Sequence, residues 1–426
     1  MGFTYIVALL VAAISLVYRR PPLADDDGRP GRPAAALAIV VVSVLAYAFE
    51  LAAYEQRQGI RTFLPVFSEA TFALVLGATF VVQSALLAGL ARTLGRPGAP
   101  LRIAIALGSV AMLGLSLHQQ NTGGDLTAYV GSAMQHDPYV PSRAPFPAAF
   151  ASINRIWGTP MVPSTYGPLW NAIAAAAAAP FATLPGKLLA MQLLGAGALL
   201  GIVATLLRTK APPAVVALVA LNPFLWEQYV AEAHNDLLAA AFVVVAARSA
   251  TMRTIVLAVV AAAAIKVSFA LTGLATLARL SRRADRLTGA ASIVGLVGLT
   301  IALAGAEYPR AVVRVLALYA HPLPPGDVVL RELTELAVAV FAVVAVVAGR
   351  VPWGTPWIPI ALGQFPLTNY LCWGLPTALV GNGAAIFLIA LPYAAFEANN
   401  ILAETPLSIG VRLAAGVALA AVLVLG

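Results

Sequence analysis

Long apolar runs, separated by short clusters of Arg, Gly and Pro, set the pattern of this chain. They fall at roughly 3–18, 34–54, 64–90, 103–117, 187–207, 213–227, 236–248, 254–278, 287–305, 332–349, 356–371, 377–396 and 407–425. The runs are continuous, without the period-two alternation of a membrane β-barrel. About 20 apolar residues in a helix cross a hydrocarbon core of ~30 Å. The pattern predicts an all-α fold, a polytopic membrane helix bundle with about 12–14 membrane helices. Segment 169–184, LWNAIAAAAAAPFATL, is short and contains Pro180, which suits an interfacial or re-entrant helix.

Composition agrees with this reading. Of 426 residues, 61% are hydrophobic and 10% charged, where soluble domains carry about 25% charged residues. The net charge of +8 reads as basic cytoplasmic loops rather than a nucleic-acid surface. The single cysteine, Cys372, excludes an intramolecular disulfide and any cysteine-based metal site, and its apolar neighbours suit a buried thiol. The N-terminal run lacks a basic leader and a small-residue cleavage site, so a retained helix is expected.

Arg and Lys set the orientation. The basic groups are Arg19, Arg20, Arg29 and Arg32; Arg92, Arg96 and Arg102; Arg208 and Lys210; Arg248 and Arg253; and Arg279, Arg282, Arg283 and Arg286. With all of them in the cytoplasm, three polar segments face outward: a long first loop at 118–168, the segment NPFLWEQYVAEAHND, and a late loop at 306–331. This arrangement requires that 169–184 not cross, and that 254–278 enter and return with a bend near Lys266. No internal repeat is visible, so 1–426 reads as one membrane domain. There is no Rossmann-type soluble domain for a nucleotide sugar and no Walker motif. The energy for any reaction then has to arrive with a lipid-borne or extracytoplasmic substrate.

Candidate chemistry gathers on the outer side. Asp125, in GGDLTAYV, suits either a helix N-cap or a general base. Asp137, in HDPY, reads first as a turn former and second as a functional acid. Tyr129, Tyr139 and Tyr166 are candidate sugar-stacking rings, although Tyr also favours the membrane interface. Glu227, Glu232, His234, Asn235 and Asp236 crowd a helix start; one of them caps the helix, which leaves the others to explain. Their spacing matches no specific metal-ligand motif. Lys266 stands alone in VVAAAAIKVSFALTG. A lysine deep in a bilayer costs roughly 2.5–3.5 kcal/mol and usually faces a cavity. A helix from Arg253 would rise ~20 Å to reach it, placing the amine in the outer half, within reach of a lipid phosphate. Tyr308, Arg310, Arg314 and His321 add cations on the same side.

Several of these residues fall in an order that resembles bacterial polyprenol-phosphate-mannose-dependent mannosyltransferases of the GT-C superfamily. Asp125 and Tyr129, then Asp137-Pro138-Tyr139, then Tyr166-Gly167-Pro168-Leu169-Trp170 resemble that group's first outer loop. Asn222-Pro223 followed by His234-Asn235-Asp236 resembles its NP … HND pattern, and Lys266 falls where its members carry a lysine in a broken helix. The resemblance covers about 120–266 and does not extend to the C-terminal third. It implies a hexose donor on a polyprenyl monophosphate, mannose first, with glucose and arabinose open. It implies Asp125 as the base on an acceptor hydroxyl, with inversion at the anomeric carbon. Lys266, His234, Asn235, Asp236, His321 and Arg310 would serve the donor phosphate, and Tyr129, Asp137, Tyr139, Tyr166 and Glu232 the substrates. No cofactor is required, and a divalent metal is not excluded. The acceptor would be an extracytoplasmic glycan or glycolipid, and the location a bacterial plasma membrane. The alternatives are a transporter or lipid flippase, for which paired repeats would be expected, and a non-catalytic membrane subunit.

Overall fold

The computed structural model describes residues 31–57, 62, 64–119, 124–142, 144–318, 325–352, 354–362 and 368–399, with scattered positions before residue 17. The expected spans at 3–18 and 407–425, the first residues of the outer loop and His321 lie outside the described residues. The described chain is all helical, as the unbroken apolar runs predict, and contains no strand. The helices are α1 (Pro33–Arg57), α2 (Glu69–Thr93), α3 (Ala99–His118), α4 (Gly124–Ala133), α5 (Ala151–Trp157), α6 (Pro168–Ala178), α7 (Leu184–Arg208), α8 (Pro213–Ala220), α9 (Pro223–Trp226), α10 (Asp236–Ala247), α11 (Met252–Ile265), α12 (Phe269–Leu274), α13 (Arg283–Ala304), α14 (Glu307–Leu318), α15 (Pro325–Ala348), α16 (Leu375–Val380) and α17 (Ala384–Asn399).

Among the described residues, five helices are long and apolar enough to cross a membrane: α1, α2, α3, α7 and α13; α8 and α9 with the turn that follows make a sixth if taken as one bent span. The expected crossings at 236–248, 356–371 and 377–396 are instead shorter helices or 3-10 turns among the described residues. Large apolar side chains remain exposed on the long helices, among them Leu45, Leu107, Leu207 and Leu303. Helices apolar on their outward faces as well as their inward ones are what a lipid environment selects.

Breaks in the helices place the site. Pro223 lacks an N–H and stops α8; Asn222, fully buried before it, donates its Nδ2 to the Leu388 carbonyl 2.8 Å away on α17. The Ala220 carbonyl accepts from Trp226 Nε1 (2.8 Å) and Ser109 Oγ (3.0 Å). A π-turn, Glu227–Ala231, follows α9, and such turns concentrate at functional sites. It fits only because α7 presents Gly195 to it: a Cβ there would lie 1.8 Å from the Tyr229 carbonyl oxygen. The turn ends at Ala233 in the left-handed region (φ 53), with the His234 N–H on the Gln228 carbonyl (3.2 Å).

The segment 254–278 is broken where the sequence places the bend. α11 stops at Lys266, whose backbone is extended (φ −149, ψ 113), and α12 with the 3-10 turn Ala275–Arg279 continues away from it. Arg279 and Arg248 lie close enough to feel each other's charge, whereas Lys266 lies beside Asp236 at the opposite end of α10. The segment thus enters and returns to the end it started from. Arg286 fastens the return: its guanidinium donates to the carbonyls of Leu280, Ser281, Val346 and Val347. The other ambiguous segment forms α6, whose 11 residues span only ~16 Å and do not cross.

Gly195→Ala should lower stability by about 1–3 kcal/mol, because a methyl must displace backbone. Gly197→Ala, with nothing within 4 Å, should leave stability unchanged or slightly raised. Thermal unfolding of the two variants in one detergent checks the contrast.

Candidate functional site

Four elements from distant parts of the sequence meet at one end of the bundle. α4 brings Asp125 in its first turn, where the helix dipole favours a carboxylate. Trp157 of α5 pins that turn, its Nε1 donating to the Gly124 carbonyl (2.8 Å) and Thr127 Oγ1 (3.0 Å). The π-turn delivers Glu232 and His234. The start of α10 delivers Asn235 and Asp236, and the break after α11 delivers Lys266.

His234 bridges two carboxylates. Its Nδ1 lies 3.2 Å from Asp125 Oδ2 and its Nε2 3.4 Å from Glu232 Oε2. Burial is the largest influence on the imidazole and opposes its charge. The hydrogen bonds to Asp125 and Glu232, with their negative charges, outweigh it and push the pKa up to about 10. Burial likewise raises the Asp125 carboxyl, but the His234 bond and charge, with Lys266 behind, leave it below the ordinary carboxylate value. Across the neutral range His234 is therefore an imidazolium held against an ionised Asp125. Asp125 and Glu232 keep 36% and 34% of their side-chain surface exposed, so solvent or a ligand reaches both.

Beside the triad, Lys266 Nζ donates to Asp236 Oδ1 at 2.7 Å, and Trp373 Nε1 donates to the same oxygen at 2.6 Å. Asp236 is fully buried, and its Oδ2 has no hydrogen-bond partner. The ammonium also sits over three rings, Tyr370 at 4.6 Å, Trp373 at 5.1 Å and Tyr166 at 5.7 Å from the centroids. Tyr166 belongs to a second aromatic group: Tyr129 meets Tyr166 (5.2 Å) and Trp170 (5.0 Å) edge-on. The Tyr129 hydroxyl accepts a long bond of 3.5 Å from the Asn235 N–H. Gly167 ties this loop to the helix break, its N–H donating to the Ile265 carbonyl at 2.8 Å. A Cβ at Gly167 would lie 2.2 Å from the Ala264 carbonyl oxygen, so only glycine permits the approach.

Asp125, Tyr129, Tyr166, Glu232, His234, Asn235, Asp236 and Lys266 thus come together. Three other candidates stand apart. Asp137 is exposed and accepts the Tyr139 N–H on its Oδ1 at 3.0 Å, which makes it a turn former. Tyr139 packs against Tyr308 of α14 (5.1 Å), away from the triad. Arg310 is exposed and pairs with Glu307 at 2.6 Å. Trp157, Tyr370 and Trp373 are site residues that sequence reading missed. Tyr370 and Trp373 lie in an apolar stretch whose aromatics carry no local sign that they cover an ammonium. Among the described residues no group of three or more His, Cys, Asp or Glu could hold a metal ion. Cys372 is fully buried, as expected, with its N–H on the Tyr229 hydroxyl.

Removing one partner of the Asp236–Lys266 pair should cost about 3–5 kcal/mol, since the other charge is left buried. The double variant Asp236→Asn/Lys266→Met should recover a large share. Unfolding of the two single variants and the double variant measures the coupling. No family model, no curated protein and no solved structure matches this chain.

Proposed function

We propose that the chain is a membrane glycosyltransferase of GT-C type. It moves a hexose, mannose first, from a polyprenyl monophosphate sugar to an extracytoplasmic glycan or glycolipid acceptor, with inversion. It needs no cofactor and works at the outer face of a bacterial plasma membrane. The observation that carries this reading is the meeting of Asp125, partly exposed in the first turn of α4, with Lys266 at a helix break, through His234 and Asp236. A single displacement at an anomeric carbon needs a base for the incoming hydroxyl and positive charge for the departing phosphate. Asp125 is the base. Its oxygen takes the hydroxyl proton as the new glycosidic bond forms and the bond to phosphate breaks, and His234 holds it in orientation. Lys266 has N–H donors beyond the one given to Asp236, and these serve the phosphate. Tyr166 and Tyr370 supply flat faces for a sugar ring.

A small apolar recess, lined among others by Leu271, Thr272, Phe341 and Ile358, adjoins the arm that follows Lys266. The second reading, a transporter or lipid flippase, draws its support from a carboxyl group buried within the span of α1, Glu50.

The test is transfer of labelled sugar from a polyprenyl phosphate donor to a panel of acceptors, using purified protein in liposomes. Asp125→Asn should lose at least about a hundredfold in rate with its unfolding temperature retained; full transfer by that variant refutes the base. The acid limb of the wild-type profile should lie below the ordinary carboxylate range, because Asp125 must be ionised to act and its pKa is lowered. In His234→Gln that limb should move to higher pH. Movement of lipid or solute without any transfer would favour the transporter.

A further inference from the structure

Beneath the outer site, inside the bundle, lies a polar layer that neither the base nor the phosphate needs. Glu50 of α1 is 1% exposed, and so is Gln83 of α2. Gln83 Nε2 donates to Glu50 Oε2 at 2.6 Å. The other oxygen of each group, Glu50 Oε1 and Gln83 Oε1, is buried and has no hydrogen-bond partner. An ionised carboxylate offers only acceptors, and an amide oxygen is an acceptor too. Two orphaned acceptors on groups already joined by one bond are what a carboxylic acid and an amide leave when the acid proton is omitted. A proton on Glu50 Oε1, donated to Gln83 Oε1, satisfies both atoms at once. It also avoids placing an unpaired anion in the membrane interior.

We propose that Glu50 is a proton-binding site within the membrane, a neutral carboxylic acid locked to Gln83 as a reciprocal acid–amide pair and linked to the outer site through Glu227. The proton comes from water on the outer side and returns there, and no other bond is made or broken.

The link rests on a second Glu–Gln contact, in which only the amide oxygen is left without a partner. Glu227, on the π-turn, is 6% exposed and accepts from the Nε2 of its neighbour Gln228, whose Oε1 is also buried without a partner. Glu227 lies within electrostatic reach of Glu50 on one side, and of Glu232 and His234 on the other. The Glu232 N–H is bonded to the Glu227 carbonyl (2.9 Å) and the His234 N–H to the Gln228 carbonyl (3.2 Å), so the two levels share one short stretch of backbone.

The groups facing this layer from the packed elements are few. Tyr47 on α1 is bonded to Ser116 of α3 at 2.8 Å. Ser43 on α1 and Ser84 on α2 are buried hydroxyls, and Tyr393 of α17 packs near Ala53. Among these described residues none is cationic, so the proton is the one positive charge that the geometry supplies to Glu50. This inference does not depend on whether the outer site transfers sugar or the chain transports a solute.

Infrared spectra of the full-length protein in neutral phospholipid nanodiscs test it directly. The carbonyl stretch of a protonated carboxylic acid should be present at neutral pH and be lost in Glu50→Gln. In Gln83→Met, which keeps the acid and removes its partner, the band should shift. Glu227→Gln should keep the Glu50 band and slow its exchange in heavy water. Dicyclohexylcarbodiimide, which adds to protonated buried carboxyls, should label Glu50 in the wild type, with the adduct read by peptide mass spectrometry. A spectrum unchanged in both Glu50→Gln and Gln83→Met overturns the acid–amide pair. Loss of the band when sodium replaces choline in the buffer overturns it too, because the site would then hold an alkali cation. Exchange as fast in Glu227→Gln as in the wild type removes the link.

Discussion

A lysine that ends a helix inside an apolar bundle needs an anion within reach, and the site is arranged around the one that Lys266 finds. Asp236 lies 2.7 Å away, fully buried, and shares the same oxygen with the Trp373 indole. Holding that pair fixes α11 against the start of α10, and with it the position of His234 two residues earlier. His234 in turn holds Asp125, whose helix is also anchored through Trp157 and through Tyr129 on the Asn235 N–H. An ion pair of this burial adds little net stability, since desolvation offsets its attraction. What it provides is a defined arrangement of elements, and the aromatic rings over Lys266 supply part of the solvation that water would have given.

The helix breaks follow the same physics. In a bilayer every freed backbone group needs an internal partner. The Ile265 carbonyl is met by the Gly167 N–H, and the Ala220 carbonyl by Trp226 and Ser109. Each such repair joins a break to another part of the chain, so the places where helices stop are also where the polar side chains collect.

How much of this the sequence reveals depends on the kind of signal. Lys266 was legible because a lone charge in an apolar run has few explanations, and the bend at that point is present. The non-crossing segment near 169–184 was legible from its length and Pro180. Asp137 was read both as a turn former, from the proline that follows it, and as a substrate contact, from the resemblance; its Oδ1 accepts the Tyr139 N–H of a turn. The aromatic cover from Tyr370 and Trp373 was not legible, because a ring in an apolar stretch looks the same whether it meets lipid, core or an ammonium. The reach of Tyr139 to Tyr308 was hidden for a similar reason: long-range pairing leaves no local trace. Among the described residues, α10 and α16 are apolar but shorter than a span, bounded by Asp236 and by a Gly-rich turn, and nothing in an apolar run marks where such a helix stops.

The bond between Gly167 and Ile265 also bears on how the protein is made. The loop that ends at Gly167 leaves the ribosome well before the helix that supplies the carbonyl, and Asp236 emerges thirty residues ahead of Lys266. Until Lys266 is made, Asp236 has no counter-charge, and the end of the loop at Gly167 has no Ile265 carbonyl to bond. A chain stopped short of Ile265 would carry Asp125, His234 and Asp236 without the lysine around which they are arranged.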